Sequence, residues 1–407
     1  MSRKSSRIGR WLANKAWPLA WPILLCGMVG PAWAEKIGPW DTEVLFRAPP
    51  AQWQPPRQGV REVYYEGELF QGRPTRVYAV YAEPSDGRPP YPAMVCVHGG
   101  GGTAFPEWVK LWAARGYAAL AMDLAGCGAD KKRLPDGGPD QSDSAKFADF
   151  DQQTVTQMWT YHAVAAVIRG HSLLRSLPQI DPDRIGLTGI SWGGYLTCIV
   201  AGVDNRFRAA VPVYGCGFLH ENSVWVPRLA KMSPEQRERW VKLFDPSQYL
   251  GRVKCPIFFL NGTNDFAYPL DSYRKSYDLV PGEKWIRIEV RMKHSHPDGW
   301  APKEIGLFVD SILKGTPPLP KLGSTQREGR RVWAKCTTRL PILEAHLNYT
   351  LDTGRWQERT WHTAAAQWKE KENIVQAELP DPPPTAFYLD VVDSQKAMTS
   401  TPPEILR

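Results

Sequence analysis

A serine framed by glycines, Gly189-Ile190-Ser191-Trp192-Gly193-Gly194, carries the strongest chemical signal in the chain. It follows the apolar run Ile185-Gly186-Leu187-Thr188 and opens into Tyr195-Leu196-Thr197-Cys198-Ile199-Val200, which can form a helix. A strand-to-helix turn sharp enough to project a serine hydroxyl strains the backbone and crowds strand against helix, and flanking glycines relieve that crowding. The chemistry implied is attack by Ser191 on an acyl carbon, which builds negative charge on the carbonyl oxygen. Donors for that charge are expected upstream, where Val95-Cys96-Val97-His98-Gly99-Gly100-Gly101-Gly102-Thr103 sets four glycines directly after a buried run. The backbone N–H groups of Gly99 and Gly100, with that of Trp192, are the expected oxyanion donors, each worth about 2.7–4 kcal/mol. A phosphate-cradling loop would need a following Lys-Ser or Lys-Thr, or G-x-G-x-x-G spacing, and the run has neither.

A serine hydroxyl is a weak nucleophile at neutral pH, so it requires a base, and the base an orienting carboxylate. Asp265 fits the carboxylate, because Phe258-Phe259-Leu260-Asn261-Gly262-Thr263-Asn264-Asp265 reads as a buried strand running into a polar turn. The base is His294 or His296, both in Arg291-Met292-Lys293-His294-Ser295-His296 after a strand ending at Val290. His294 is favoured because it extends less far from the strand end; His296 stays as the alternative. Trp192 and Tyr268 are expected to line a substrate pocket, with packing as the competing role. Asp123 reads as a turn-forming structural carboxylate, His98 as a residue shaping the glycine loop, and His162 as a core histidine on the apolar face of a helix.

These residues need a scaffold, and the pattern supplies one. Short apolar runs at 93–97, 118–124, 184–188, 209–213, 257–260 and 286–290 alternate with helical segments. Strands apolar on both faces and separated by helices imply a parallel sheet covered on each side. Glu62-Val63-Tyr64-Tyr65 and residues 75–81, joined across Gly72-Arg73-Pro74, suggest a hairpin forming its antiparallel edge. Residues 216–250, with a helix start at Ser233-Pro234-Glu235-Gln236, form an insertion that is either a lid or surface decoration. After the linker Gly315-Thr316-Pro317-Pro318-Leu319-Pro320, period-two alternation at Ala345, Leu347, Tyr349, Leu351 and at Phe387, Leu389, Val391 indicates a small antiparallel β domain, sandwich-like, over 321–407. Trp356, Trp361 and Trp368 either fill its core or stack on sugars.

The run Ile180-Asp181-Pro182-Asp183-Arg184-Ile185-Gly186-Leu187-Thr188-Gly189-Ile190-Ser191-Trp192-Gly193-Gly194, with Gly262-Thr263-Asn264-Asp265 and the His294 loop, resembles the acetyl xylan esterase, dienelactone hydrolase and prolyl-oligopeptidase-type serine hydrolases. The resemblance covers residues 60 to 315. It implies the α/β-hydrolase fold over 35–316, a Ser191, Asp265, His294 triad, an acyl-enzyme mechanism and no cofactor. Dienelactone hydrolases use Cys where this chain has Ser191, and prolyl oligopeptidases carry a β-propeller where this chain has the short segment 35–59. The leading expectation is therefore an exported esterase acting on acylated polysaccharide or a small-molecule ester. A secreted peptidase is second, and a non-catalytic carbohydrate-binding protein on the same fold is third.

Composition narrows the remaining classes. The formal net charge is +8, but Arg3, Lys4, Arg7, Arg10 and Lys15 lie in a stretch that reads as an export signal. Without them the balance is 45 basic against 42 acidic residues, too even for a nucleic-acid footprint. The signal comprises that basic stretch, an apolar stretch from Trp17 to Gly30 and the small-x-small site Ala32-Trp33-Ala34, giving an expected mature start at Glu35 and a periplasmic or secreted location. The apolar stretch contains Pro18 and Pro22 and is shorter than the roughly 20 residues that span a bilayer, so membrane retention is not expected. Six cysteines remain in an oxidising compartment. Cys96 reads as a buried thiol, and one disulfide among Cys127, Cys198, Cys216 and Cys255 is expected without an assigned pairing. No Cys or His spacing matches a metal site.

Overall fold

The computed structural model describes residues 38–406; the expected leader and the start at Glu35 lie outside the described residues. The central sheet has nine strands: β1 (Ala51–Trp53), β2 (Arg61–Glu66), β3 (Arg76–Ala82), β4 (Tyr91–Val97), β5 (Ala118–Met122), β6 (Ile180–Ile190), β7 (Ala209–Val213), β8 (Ile257–Gly262) and β9 (Lys284–Glu289). Their order is β1-β2-β3-β5-β4-β6-β7-β8-β9. The six strands from β4 to β9 pair in parallel, while β1, β2 and β3 run antiparallel along one edge, with β2 and β3 forming the hairpin read from the sequence.

Every residue of β5, β7 and β8 is buried, because helices cover both faces of the sheet. The helix Trp159–Arg175 is buried from Trp159 through Leu174, so it runs through the interior and cannot show a polar face. His162 lies within it, edge-on to Phe70, and burial pushes its imidazole down to about 4. His171, nine residues on and so on the opposite face of the helix, has its Nδ1 2.8 Å from Asp204, and Arg206 donates to the same carboxylate at 2.7 Å, which closes a buried charge cluster.

The register fixes where chemistry can occur. Val97 pairs with Gly189, Ile190 with Val213, Val213 with Leu260 and Gly262 with Glu289. The loops following β4, β6, β7, β8 and β9 therefore leave one rim of the sheet together, and they carry His98, Ser191, Tyr214, Asp265 and His294.

Residues beyond 320 form two five-stranded antiparallel sheets. One has the order β10 (Lys321–Leu322), β12 (Arg331–Thr337), β16 (Ile374–Glu378), β15 (Gln367–Lys369), with β11 (Gln326–Glu328) beside β12. The other has the order β14 (His362–Ala365), β13 (Ile342–Thr350), β17 (Ala386–Asp393), β18 (Met398–Ser400), with β19 (Glu404–Ile405) beside β17. Val332, Ala334 and Val375 from the first sheet meet Leu347, Leu389 and Val391 from the second in a core of their own. The opposite face of β17 is buried too: Ala386 and Tyr388, with Trp356 and Trp361, belong to the core of the central sheet. Trp356 and Trp361 thus pack inward, and Trp368 packs on the smaller core.

One expectation is corrected. All six cysteines among the described residues are free thiols, so the disulfide expected among Cys127, Cys198, Cys216 and Cys255 is not formed. Each sulfur meets its own surroundings instead, with Cys198 donating to the Gly215 carbonyl and Cys127 to that of Ala125.

Candidate active site

Ser191 sits between β6 and the helix Trp192–Val203 with φ 58° and ψ −117°, a conformation that costs a non-glycine residue of order 1–3 kcal/mol and persists only where neighbours enforce it. The enforcement is visible. The Ser191 N–H donates to the Val213 carbonyl at 2.9 Å, and the flanking glycines allow closer packing than any side chain would. A β-carbon on Gly193 would lie 1.9 Å from the Val97 carbonyl oxygen, and one on Gly189 would lie 2.1 Å from that of Gly193.

The Asp265 carboxylate is buried and fully engaged. Its Oδ1 accepts the N–H groups of Ala267 at 2.9 Å and Tyr268 at 2.8 Å, and its Oδ2 lies 2.6 Å from His294 Nδ1. His294 stacks on Tyr214 at 4.3 Å between ring centroids, and Tyr214 directly follows Val213, the acceptor for Ser191. Phe266, half exposed, packs tilted against the same imidazole at 4.9 Å. Sequence reasoning missed Tyr214 and Phe266; the signal available for both was position, immediately after the parallel strand β7 and beside Asp265.

His296 meets different partners. Its Nε2 accepts the N–H of Gly99 at 2.9 Å, and Phe105 packs against its ring at 4.8 Å. Asp265 therefore joins His294 and not His296. Burial, with His98 and His294 nearby, pushes the His296 imidazole down to about 4, so it is neutral at pH 7.

The glycine loop can be accounted for amide by amide. Gly99 donates to His296, Gly101 to Gln141 Oε1 at 3.3 Å, and Gly102 to the Gly99 carbonyl at 3.2 Å. The N–H groups of Gly100 and of Trp192, the first residue of its helix, have no hydrogen-bond partner among the described residues. Gly99 is thus corrected as an oxyanion donor, since its N–H is already taken. His98 shapes this loop from within: Nδ1 lies 2.7 Å from the Gly99 carbonyl and Nε2 accepts the Leu124 N–H at 2.9 Å, a pattern that requires the neutral ring with its proton on Nδ1. Burial pushes this imidazole down to about 4. Asp123 accepts from the Ala125 and Cys127 N–H groups and from Thr103, which makes it a loop-forming carboxylate.

The two aromatic residues expected to line a pocket are corrected as well. Tyr268 is 0% exposed and Trp192 is 4% exposed: Trp225 from the 216–250 insertion packs tilted against both, at 4.5 Å from Trp192 and 5.1 Å from Tyr268, and Phe147, Trp159 and Tyr195 enclose Trp192 further. Trp225 itself is half-buried. Lys146 lies beneath, its ammonium 4.9 Å from the Trp192 ring, and Trp240 of the insertion donates to the Lys146 carbonyl at 2.9 Å.

The C-terminal region reaches this rim. Asn264, next to Asp265, donates through Nδ2 to the carbonyls of Arg359 at 2.7 Å and of Trp356 and Gln357 at 3.3 Å. A cavity of about 370 Å³ lies between them, walled by Phe266, Arg291, Lys293 and His294 on one side and Gln357 and Arg359 on the other.

Comparison with known proteins places the chain among hydrolases. The family model for acetyl xylan esterase (AXE1) matches residues 47–252, just over half of the chain, and that for PhoPQ-activated pathogenicity-related protein matches 229–344. The chain is 24% identical over 212 residues to acetyl esterase Axe7A of Xylanibacter ruminicola, covering 48% of this chain and 47% of that protein. It is 26% identical over 211 residues to the uncharacterized peptidase YuxL of Bacillus subtilis, covering 46% of this chain and 28% of that one. It thus spans less than half the length of either curated relative. Among solved structures, acetyl xylan esterase from Paenibacillus sp. R4 superposes with a TM-score of 0.54 at 22% identity, over 67% of this chain and 92% of that one. Acetyl xylan esterase 1 from Thermoanaerobacterium sp. JW/SL YS485 gives 0.51 at 19% identity, over 62% and 87%. At such identities these likenesses establish the α/β-hydrolase fold, and the match over residues 47–252 establishes the family: the chain belongs to the acetyl xylan esterase (AXE1) family.

Proposed function

We propose that the protein is an exported serine esterase that removes short acyl groups, acetyl first among them, from carbohydrate through an acyl-enzyme intermediate. The observation that carries this reading is the 2.6 Å contact of Asp265 with His294, on loops that leave the same rim of the sheet as a serine held in the elbow conformation, together with the uncommitted N–H groups of Gly100 and Trp192. His294 Nε2 takes the Ser191 proton as Oγ bonds to the ester carbonyl carbon. The carbonyl oxygen gathers charge facing the Gly100 and Trp192 N–H groups, the ester C–O bond breaks, and His294 returns the proton to the leaving alcohol. Water then gives a proton to the same imidazole as its oxygen bonds to the acyl carbon, the bond from that carbon to Ser191 Oγ breaks, and the imidazole returns the proton to Oγ as the acid leaves. Asp265 keeps the Nδ1 proton in place throughout. Carbohydrate ester as substrate and export rest on the family and on the leader-like residues 1–34 respectively.

Hydrolysis of p-nitrophenyl acetate by the intact protein and by Ser191→Ala tests the chemistry; equal rates would eliminate it and favour a binding role. A peptidase reading draws on the YuxL relative. Acetate release from acetylated xylan, set against cleavage of aminoacyl-p-nitroanilides, separates the two, and turnover confined to the anilides would overturn the esterase assignment.

A further inference from the structure

Two histidines separated by one residue sit at the rim of the sheet, and the triad uses only His294. We infer that His296 is a positioning residue that locks the glycine loop, so that Gly100 presents its N–H to the substrate oxygen. The inference rests on the esterase mechanism above.

The local backbone explains why both rings reach the same place. Ser295 between them is extended, φ −150° and ψ 168°, and in extended chain residues two apart project to the same side. His294 turns to Asp265, whereas His296, the first residue of the short helix His296–Trp300, reaches the loop after β4. It is seated among glycines. A β-carbon on Gly102 would lie 2.8 Å from His296 Nε2; one on Gly99 would lie 3.3 Å from it and 2.9 Å from Ser191 Cβ.

The Gly100 N–H belongs to the peptide unit whose carbonyl is that of Gly99. That carbonyl is held by His98 Nδ1 at 2.7 Å and by the Gly102 N–H at 3.2 Å. On the other side of the same α-carbon, the Gly99 N–H is held by His296 at 2.9 Å. Both backbone torsions of Gly99 are thereby fixed, and with them the direction of the Gly100 N–H. Without the imidazole, a run of four glycines regains freedom that other residues lack, and the donor is aimed only part of the time. Accepting from Gly99 requires a lone pair on Nε2 and so the neutral ring protonated at Nδ1; burial among Phe105, Trp300 and the glycine loop favours that form.

The test compares His296→Leu, which fills the space without an acceptor, with His296→Gln, whose Oε1 can replace Nε2. With p-nitrophenyl acetate, kcat of His296→Leu should fall about 10- to 100-fold, less than the 10²–10³ of deleting a donor outright. KM should be unchanged, and affinity for a boronic acid that mimics the tetrahedral intermediate should fall by the same factor. His296→Gln should recover most of kcat. A folded His296→Leu within threefold of the unmodified protein overturns the inference, and so does a His296→Gln as impaired as the Leu variant. Loss as complete as in Ser191→Ala, with His294→Gln still active, would instead make His296 the base and sink the triad assignment. If His296→Leu does not fold, the ¹⁵N spectrum of the histidines in the intact protein decides: a proton on His296 Nε2 rules the role out.

Discussion

Replacing Asp265 by Asn separates orientation from shape at this site, because the surroundings dictate how the new amide must sit. Oδ1 accepts two backbone N–H groups, from Ala267 and Tyr268, in a buried pocket. Turning the amide so that its oxygen faced His294 would point an NH₂ at both donors and leave them unpaired, at about 1–3 kcal/mol each. The oxygen therefore stays where Oδ1 was, and the NH₂ faces His294 Nδ1. A ring that must accept at Nδ1 carries its proton on Nε2 and has no lone pair for the Ser191 hydroxyl. The expected loss is about 10⁴ in kcat, roughly 5.5 kcal/mol of barrier, with KM little changed. Stopped assays with p-nitrophenyl acetate, run beside urea denaturation, give both quantities, and the variant should unfold near the midpoint of the unmodified protein. Asp265→Ala should differ by losing stability as well, since both amides then lack an acceptor. A folded Asp265→Asn with kcat within tenfold of the original would show that His294 does not work through this carboxylate.

Two further outcomes follow from the same contacts. His98, His162 and His296 are each pushed down to about 4 by burial. The unfolded chain thus binds more protons between pH 6.5 and 4, so folding stability should be complete above pH 6.5 and decline toward pH 4, by up to about 3 kcal/mol per imidazole. Asp123, whose burial raises its carboxyl, opposes this weakly. Urea midpoints across pH 4–7.5 measure the slope, and a flat profile down to pH 4.5 would contradict the assigned neutral rings. Asn264→Ala removes the donor shared by the carbonyls of Trp356, Gln357 and Arg359 and should cost about 1–3 kcal/mol of stability with a several-fold fall in kcat at constant KM. Unchanged stability would mean that the C-terminal segment does not brace the Asp265 loop.

How much of this the sequence could disclose depends on the range of the interaction concerned. The parallel strands were legible because β5, β7 and β8 are buried on both faces, and an unbroken apolar run is the direct imprint of that burial. The strand-to-helix turn at Ser191 was legible because Gly189 and Gly193 touch each other and Val97 too closely for any side chain, so the constraint is written within a few residues. His294 and His296 could not be told apart on the same terms, since nothing within their own loop distinguishes them. Their partners do, and those lie 29 and 197 residues away.

The same logic explains the readings that failed. Period-two alternation in β17 correctly marked a strand with one face on a core, but that signal does not say what covers the second face. Here Ala386 and Tyr388 press into the core of the larger sheet, and Trp356 and Trp361 go with them. Cysteine positions gave the separation along the chain and not the geometry that a disulfide needs, and the described cysteines stay free, all but the half-buried Cys127 enclosed by their own neighbours. For Trp192 and Tyr268 the competing role, packing, is the one the structure shows, in part because Trp225, from an insertion whose path no local pattern encodes, packs against both. If the insertion governs access, specificity in this protein is written at Trp225 more than in the residues around Ser191. Trp225→Ala should then change KM across acyl esters of increasing size while leaving kcat for acetate esters within a few-fold. Uniform KM values across that series would assign the insertion to packing alone.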